Sequence, residues 1–350
     1  KPHPYISFWK EFGNTLKWGI VEDHDNRDRL TKLMRFKTTR TETEDENDWV
    51  SLEKYVERMK DGQKAIYYLA GESIKQVRDS PFLEKLNEKG YEVILFTDAI
   101  DEYVMQHLKE HDGFKFMDIS KENFKFAEDD QKDEKEKLDT LKKSFKPLTK
   151  FIKDHLKKGL ARVQLSTRLA SAPCAIVSSE WGYSARMETI MRAQALAQKT
   201  SFVEMPKVME INPMHPVIRA LGLLVKEDPD SEKAKETVEL LYDTALVSSG
   251  FYISDNKGFQ TRMQQVMRSA LGVDPSEPLS SEPLFDDSEV EDDDEDEAKP
   301  EADSMEEEDS PFKMEEVDPA EMDKIKARMA NKEDAVSEDG SDDAETTEEL

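Results

Sequence analysis

Three acidic residues and one histidine are the side chains in this sequence best suited to acid–base chemistry. Asp98, Asp101 and Glu102 follow an apolar run that predicts a buried strand. Asp101 and Glu102, however, fall in the first turn of a helix predicted at 100–108, where carboxylates interact favourably with the helix dipole. His215 stands between two prolines with no nucleophile motif nearby, which indicates a role in a turn. We therefore expect no catalytic residue in this set.

Other common catalytic and ligand-binding patterns are also missing from the sequence. Cys174 is the single cysteine, which excludes an internal disulfide, and its apolar surroundings predict a buried thiol rather than a nucleophile. The loop at 70–73 lacks the glycines and the lysine of a phosphate cradle. The six histidines have no metal-ligand spacing, and no apolar run approaches the length of a membrane span. An α/β enzyme is therefore the less favoured interpretation.

The net charge of −28 is concentrated at the carboxyl-terminal end of the chain. Residues 276–350 contain 32 acidic and 6 basic residues, whereas the preceding residues contain 46 acidic and 44 basic residues. Such a composition cannot bury enough apolar area to offset the entropy of ordering, so 275–350 is predicted to be a disordered acidic tail. No basic stripe indicates a nucleic-acid partner.

The tail is predicted to be solubilising, and weak, high-capacity calcium binding is the functional alternative. Carboxylate oxygens are the ligands that calcium prefers, but the run has no twelve-residue loop geometry that would select this ion. The carboxylates that would hold calcium in this diffuse way are Glu289, Glu291, Asp292, Asp293, Asp294, Glu295, Asp296 and Glu297.

The elements that precede the tail predict two folded domains joined by a charged segment. Within 1–125, an aromatic helix at 4–17 precedes alternating strands and helices, typical of a small three-layer α/β unit with a mainly parallel sheet. Its strands are predicted at 65–69, 91–96 and 114–119. Residues 126–143 are predicted to be a charged linker or helix, and 144–274 a mixed α+β domain that ends in a helix pair.

The most informative stretch of the second domain is an aromatic turn followed by a helix. Trp181 and Tyr183 flank a glycine, and Ser184 is placed to cap the helix that follows. Met187 and Met191 lie four residues apart on one face of this helix. Such a face is either ordinary core or a soft, exposed surface that holds unfolded chains.

The helix pair that ends the second domain carries two apolar faces. Each face packs either on its own domain or on a second copy of the chain, and the spacing alone does not decide between these alternatives. The residues on the two faces are Val238, Leu241, Tyr242 and Ala245 on the first helix and Phe259, Met263, Val266, Met267 and Ala270 on the second.

Several of these motifs in combination resemble the ninety-kilodalton heat-shock chaperone family. The carboxy-terminal motif of that family is similar to Ala172-Pro173-Cys174, to Trp181-Gly182-Tyr183 and to the segment 187–196; its middle-domain motif is similar to Phe8-Trp9, Phe12-Gly13, Gly19-Ile20, Glu22-Asp23 and Asn26-Arg27. The aromatic pair at 8–9 and the ending Arg35-Phe36-Lys37-Thr38-Thr39 most resemble its endoplasmic-reticulum branch, endoplasmin. The resemblance covers roughly residues 4–274.

The resemblance implies a homodimeric clamp that remodels partly folded client proteins. It implies client contacts at Trp181, Tyr183, Met187 and Met191, and dimerisation through the terminal helix pair. ATP and magnesium would bind an amino-terminal domain that these 350 residues do not contain, so this chain is expected not to hydrolyse ATP alone. Co-chaperones are a further class of partner that it implies.

The expected compartment is the endoplasmic-reticulum lumen, with the cytoplasm as the alternative. The ending Thr347-Glu348-Glu349-Leu350 resembles a retrieval signal only in its last acidic residue and its leucine. The chain begins without Met or a signal-like segment, so the start of the parent protein is expected to lie upstream. The alternative function is a structural dimer whose acidic tail binds calcium weakly.

Overall fold

A computed structural model describes residues 4–41, 49–126, 132–157, 159–274 and 276–279, except for the side chains of 132–134. The chain divides into two compact units, Lys1–Pro278 and Leu279–Leu350. The first unit is a mixed α/β structure with two mixed sheets, and it contains the elements described below. The predicted disordered tail lies almost entirely outside the described residues.

The first sheet has five strands in the order β1-β3-β2-β5-β4. Strand β2 pairs in parallel with both β3 and β5, and the two edge strands are antiparallel. The elements of this half are α1 (Pro4–Glu22), α2 (Arg27–Thr31), β1 (Lys37–Thr38), α3 (Leu52–Glu57), β2 (Ala65–Ala70), α4 (Ile74–Arg78), α5 (Pro81–Glu88), β3 (Ile94–Phe96), α6 (Ala99–His107), β4 (Glu110–His111) and β5 (Phe114–Asp118).

The second sheet has three strands in the order β6-β8-β7, with β8 parallel to β6 and antiparallel to β7. All five residues of β8 are buried, as expected for the central strand of a covered sheet. The elements of this half are α7 (Lys132–His155), β6 (Leu160–Leu165), β7 (Cys174–Val177), α8 (Ala185–Ala197), β8 (Lys207–Ile211), α9 (Pro216–Glu227), α10 (Glu232–Ser248) and α11 (Asn256–Leu271).

Side-chain caps explain where several helices begin. The hydroxyl oxygens of Ser51, Ser73 and Ser184 accept hydrogen bonds from backbone N–H groups in the first turns of α3, α4 and α8. These bonds satisfy N–H groups that have no partner within the helix. The cap at Ser184 confirms the helix start predicted there from the sequence.

The two sheets share a hydrophobic core. Leu86 and Phe124 of the first half pack in one cluster with Ala175, Val177 and Val208 of the second half. Apolar side chains from the two predicted domains, which the segment at 126–143 separates in the sequence, therefore pack in one core cluster. The predicted domain limits of 1–125, 144–274 and 275–350 stay a prediction.

A buried ion pair lies where the two halves meet. Arg168 donates from Nε to Oε2 of Glu210 and from Nη2 to Oε1, each at 2.9 Å. The remaining donor, Nη1, reaches the carbonyl oxygen of Ile119 in the first half. The guanidinium group also lies 5.1 Å from the ring centre of Phe82 and 5.6 Å from that of Phe124. One side chain thus joins both sheets.

Within the ranges given above, no helix combines the length and the apolar character that a membrane crossing requires.

Replacing Arg168 by Met should lower the free energy of unfolding by about 3–5 kcal/mol, because the buried Glu210 carboxylate would lose its partner. Urea unfolding followed by circular dichroism measures the change. The matched control is Arg162→Met, whose half-exposed side chain pairs with Glu122 and should cost at most about 1 kcal/mol. Equal losses in the two variants would contradict the special role of the buried pair.

Candidate functional site

The aromatic turn before α8 presents two large side chains to solvent. We call residues 179–184 the Trp181 turn. Trp181 is 87% exposed and Tyr183 is 36% exposed. The Gly182 N–H donates to the Ser179 carbonyl oxygen at 3.0 Å, and a Cβ at position 182 would lie 2.8 Å from the Ser179 hydroxyl. A side chain at 182 would therefore require the Ser179 hydroxyl to move.

The two methionines of α8 differ in their surroundings. Met187 is 5% exposed and belongs to the interior, whereas Met191, one turn later, is partly exposed. Of the four predicted client contacts, Trp181, Tyr183 and part of Met191 are therefore exposed, and their client role stays a prediction. Met187 is therefore an ordinary core residue in this structure, one of the two alternatives that the sequence left open.

A cavity of about 270 Å³ lies between α8 and the loop that follows it. Tyr183 and Met191 line it together with Gln194, Ala195, Gln198, Thr200, Ser201, Phe202 and Val203. Its walls combine apolar side chains with amide and hydroxyl groups, a composition suited to an apolar side chain and its neighbouring peptide groups.

Sequence reasoning missed three exposed apolar residues in this part of the chain. Val203, which lines the cavity, is 79% exposed, and Leu196 and Met205 are 74% and 40% exposed. Leu196 lies near the end of α8. No periodicity marks Val203 and Met205, because 201–206 is irregular backbone, and their signal in the sequence was the presence of apolar residues in a polar loop.

Ionic and aromatic contacts hold this loop against α8. The Arg192 guanidinium lies between Phe202 and Tyr252, 4.9 Å and 4.8 Å from the ring centres. It also pairs with Glu204 at 2.7 Å. Such cation–π contacts strengthen when they are shielded from water, so Arg192 of α8 holds Phe202, which lines the cavity, in place.

The acidic residues at 98–102 are structural. Lys17 of α1 pairs with Asp98 at 2.6 Å and with Asp101 at 2.7 Å, which attaches α1 to the start of α6. Burial raises the pKa of Asp101 to about 6, against the opposing effect of the Lys17 charge. These carboxylates therefore connect α1 to α6.

Glu102 instead faces α8. The Ser184 hydroxyl donates to Glu102 Oε1 at 2.5 Å while the same oxygen caps α8 at the Met187 N–H. Burial, helped by the nearby Asp118 carboxyl and opposed by the Ser184 hydrogen bond, raises the pKa of Glu102 to about 7. A group that titrates near neutral pH therefore contacts Ser184, the last residue of the Trp181 turn.

Cys174 and His215 have the structural roles that the sequence predicts. The buried Cys174 thiol lies 3.4 Å from the Leu241 carbonyl oxygen, and burial raises its pKa to about 12. The neutral thiol is a poor nucleophile. His215 Nδ1 accepts a hydrogen bond from the Val217 N–H at 3.2 Å and so caps α9.

The terminal helix pair is divided between core and surface. Val238, Leu241 and Ala245 of α10 are buried in the core of their own domain, and Tyr242 packs beside them. Val238, Leu241 and Ala245 are therefore covered by their own domain, whereas Tyr242 is partly exposed. The predicted dimer interface on the two helices stays a prediction.

Helix α11 has no buried residue. Phe259 packs partly against the core and Met263 is half-buried, whereas Val266, Met267 and Ala270 are exposed. Leu271, which the sequence analysis did not select, is 79% exposed and extends the same surface. We call Val266, Met267, Ala270 and Leu271 the α11 face.

Ion pairs attach α11 to α10. Arg262 donates to Asp243 at 2.8 Å through Nε and to Glu239 at 3.3 Å. Glu239 in turn accepts from His155 of α7 at 2.9 Å. These contacts hold the inner side of α11 and leave its outer side open.

The predicted calcium ligands at 289–297 lie outside the described residues. Among the residues that the structure does describe, no group of three or more His, Cys, Asp or Glu side chains is placed to share a metal ion.

Comparison with known proteins gives consistent matches. The family model described as Hsp90 protein matches residues 1–301. An endoplasmin homolog from Arabidopsis thaliana is 44% identical over 278 residues, which cover 79% of this chain and 33% of the relative. Endoplasmin homologs from Catharanthus roseus and Hordeum vulgare are 43% and 44% identical, each over 81% of this chain and 34% of the relative. The chain thus spans about a third of the length of these relatives.

Proposed function

Because this chain belongs to the Hsp90 protein family, we propose that it is the client-holding and dimerising part of a molecular chaperone. The names of the endoplasmin homologs support the endoplasmic-reticulum lumen as its compartment. Clients, a second copy of the chain and co-chaperones are the partners included in this proposal.

The observation that carries the client role is the exposure of Trp181 beside the cavity. An aromatic side chain that is 87% exposed on a tight turn has lost little hydration and can gain apolar contact at low entropic cost. The cavity of about 270 Å³ beside Tyr183 and Met191 would receive one large apolar side chain. An unfolded segment with spaced apolar residues fits this combination.

We propose that the clamp cycle of the whole protein depends on ATP and magnesium. Nucleotide binding is assigned to a part of the full-length protein other than this third of it. Within this proposal the present chain holds clients and pairs with its copy, and it does not turn over ATP by itself. Turnover by the isolated chain that resists a competitive inhibitor of contaminating ATPases would refute this assignment.

Trp181→Ala should weaken binding of an unfolded client about tenfold without changing stability, because Trp181 makes little contact within the chain. Suppression of citrate synthase aggregation, followed by light scattering, measures the effect. Met187→Ala is the matched comparison, since loss of this buried side chain should cost about 2–5 kcal/mol of stability through a cavity. Client binding that is unaffected by Trp181→Ala would exclude the turn as the client surface.

We propose that dimerisation uses the α11 face. A patch of adjacent apolar side chains on the outer side of one helix is suited to a two-fold contact, in which each copy contributes the same residues. The proposal is supported by the exposure of Met267 and Leu271, which are 55% and 79% exposed, and by family membership. Helix α10 would support this contact from behind.

Val266→Asp combined with Met267→Asp should convert a dimer into a monomer, because two buried, unpaired charges would be placed at each copy of the contact. Sedimentation equilibrium at micromolar concentration measures the mass. Leu223→Asp on α9 is the control, since that side chain is 63% exposed on another helix. A monomeric wild-type chain, or a dimer in the double variant, would exclude the α11 face.

A structural dimer with a calcium-binding tail is the second candidate, and the carboxylate run at 289–297 favours it. A calcium titration by calorimetry should lose most of its capacity when the chain is ended at residue 275. Capacity that survives this truncation would exclude the tail as the calcium store.

A further inference from the structure

The Trp181 turn is held by a segment that belongs to the other sheet. Directly after β5, Lys121 forms an isolated parallel bridge with Ser178, the residue that precedes the turn. The N–H of Glu122 donates to the Ser178 carbonyl oxygen at 3.0 Å. The Glu122 carboxylate then accepts from the Glu180 N–H at 3.2 Å. The entry to the turn is therefore paired with residues 121–122.

The side chain of Lys121 reaches into the turn itself. Its ammonium group donates to the carbonyl oxygen of Gly182 and, at 3.4 Å, to that of Ser179. These two carbonyls flank Trp181, and the Ser179 oxygen already accepts from the Gly182 N–H. A charged donor that bridges both ends of so short a turn restricts the peptide planes on either side of Trp181.

We propose that Lys121 is a positioning residue for the Trp181 turn, so that contact with the first sheet fixes how Trp181 and Tyr183 are presented. The geometric part of this inference stands on the hydrogen bonds alone. Its consequence for clients rests on the function proposed above.

Two carboxyl groups lie within electrostatic reach of this cation, Glu102 on α6 and Asp118 at the end of β5. Asp101 of α6 and Tyr68 of β2 interact electrostatically with these carboxyls. The Lys121 charge lowers the pKa of Glu102 and of Asp118, against the upward effect of burial. The Lys121 ammonium group therefore both donates hydrogen bonds to the Trp181 turn and lowers the pKa of Glu102, the carboxyl that accepts from the Ser184 hydroxyl.

A lysine that only contributed to stability would leave the turn conformation unchanged once the chain is folded, whereas a positioning lysine changes it. The Lys121 charge acts on the nearby carboxyls in either case, so the pH profile tests whether ionisation of Glu102 is linked to the turn. The test therefore needs a local probe of Trp181 and a pH profile in addition to a measurement of stability.

The local probe is fluorine NMR of the chain labelled with 5-fluorotryptophan. The four tryptophans give four resonances, of which the Trp181 signal is assigned by its loss in Trp181→Phe. Lys121→Met should move the Trp181 resonance by more than its linewidth and leave the Trp49 resonance in place. Lys121→Arg, which keeps the charge and the donors, should remain close to the wild type.

The matched control is Lys125→Met, because Lys125 is an exposed lysine of the same segment. An unchanged Trp181 resonance in folded Lys121→Met would overturn the proposal, as would an equal change in Lys125→Met. Should Lys121→Met fail to fold, Lys121→Gln replaces it, with the same displaced resonance expected and the same unchanged resonance overturning the proposal.

The pH profile of the Trp181 resonance is the second readout. In the wild type it should follow ionisation of Glu102 near neutral pH, and Glu102→Gln should remove the transition. Loss of the Lys121 cation makes the ionised carboxyl less favourable, so the midpoint should move to higher pH in Lys121→Met. An identical midpoint in this variant would count against the proposed coupling.

Client binding is measured separately, so that the two proposals fail independently. If Trp181→Ala leaves client binding intact, the client role is wrong, but a displaced Trp181 resonance in Lys121→Met still supports the positioning role. If both roles hold, Lys121→Met should weaken client binding about three- to tenfold, and should add little further loss in a Trp181→Ala background.

Discussion

The buried pair of Arg168 and Glu210 is the contact on which the joint between the two sheets depends. The Arg168 side chain is 2% exposed, so its guanidinium group has lost its hydrogen bonds to water and must replace them with bonds to protein groups. Glu210 supplies two of these bonds, and the Ile119 carbonyl supplies another from the opposite half. The geometry that satisfies this cation therefore also fixes how the end of β5 meets the loop after β6.

The consequence of that joint is visible in the residues that follow Ile119. Lys121 and Glu122 lie only a few residues beyond the carbonyl that Arg168 holds, and they reach the Trp181 turn on the second half. The position of an exposed aromatic side chain is thus connected to a buried ion pair through a short, hydrogen-bonded piece of backbone. The contacts from Arg168 to Ile119 and from Lys121 to Gly182 form a contiguous set through which a change at the ion pair could alter the turn, and substitutions along it can test that coupling.

Apolar residues of similar sequence pattern are used in two ways in this structure. The face of α10 at Val238, Leu241 and Ala245 closes the core of its own domain, whereas the α11 face remains open to solvent. The same contrast divides Met187 from Trp181 around the start of α8. In both places the exposed apolar residues lie next to a packed helix, α10 beside the α11 face and α8 beside Trp181. Because the packed helix is already ordered, less entropy is lost when the exposed residues contact a partner.

The sequence by itself determined much of the local structure. The serine at 184 placed the start of α8, because a side-chain acceptor and the free N–H groups of a first turn are neighbours in the chain. Apolar runs placed β2, β3 and β5, although β3 begins at Ile94, three residues after the predicted start. The motifs at 8–27 and 172–196 indicated the family, which the match over residues 1–301 confirms.

Only the tertiary structure decided which apolar faces are covered. Periodicity selected Met187 and Met191 together, and it selected α10 and α11 together, because spacing reports that a face is apolar and not what lies against it. The same limit concealed the link from Lys121 to Gly182, whose partners are 61 residues apart. Contacts across such separations depend on how sheets and helices pack, and that packing is a property of the whole chain rather than of any one segment.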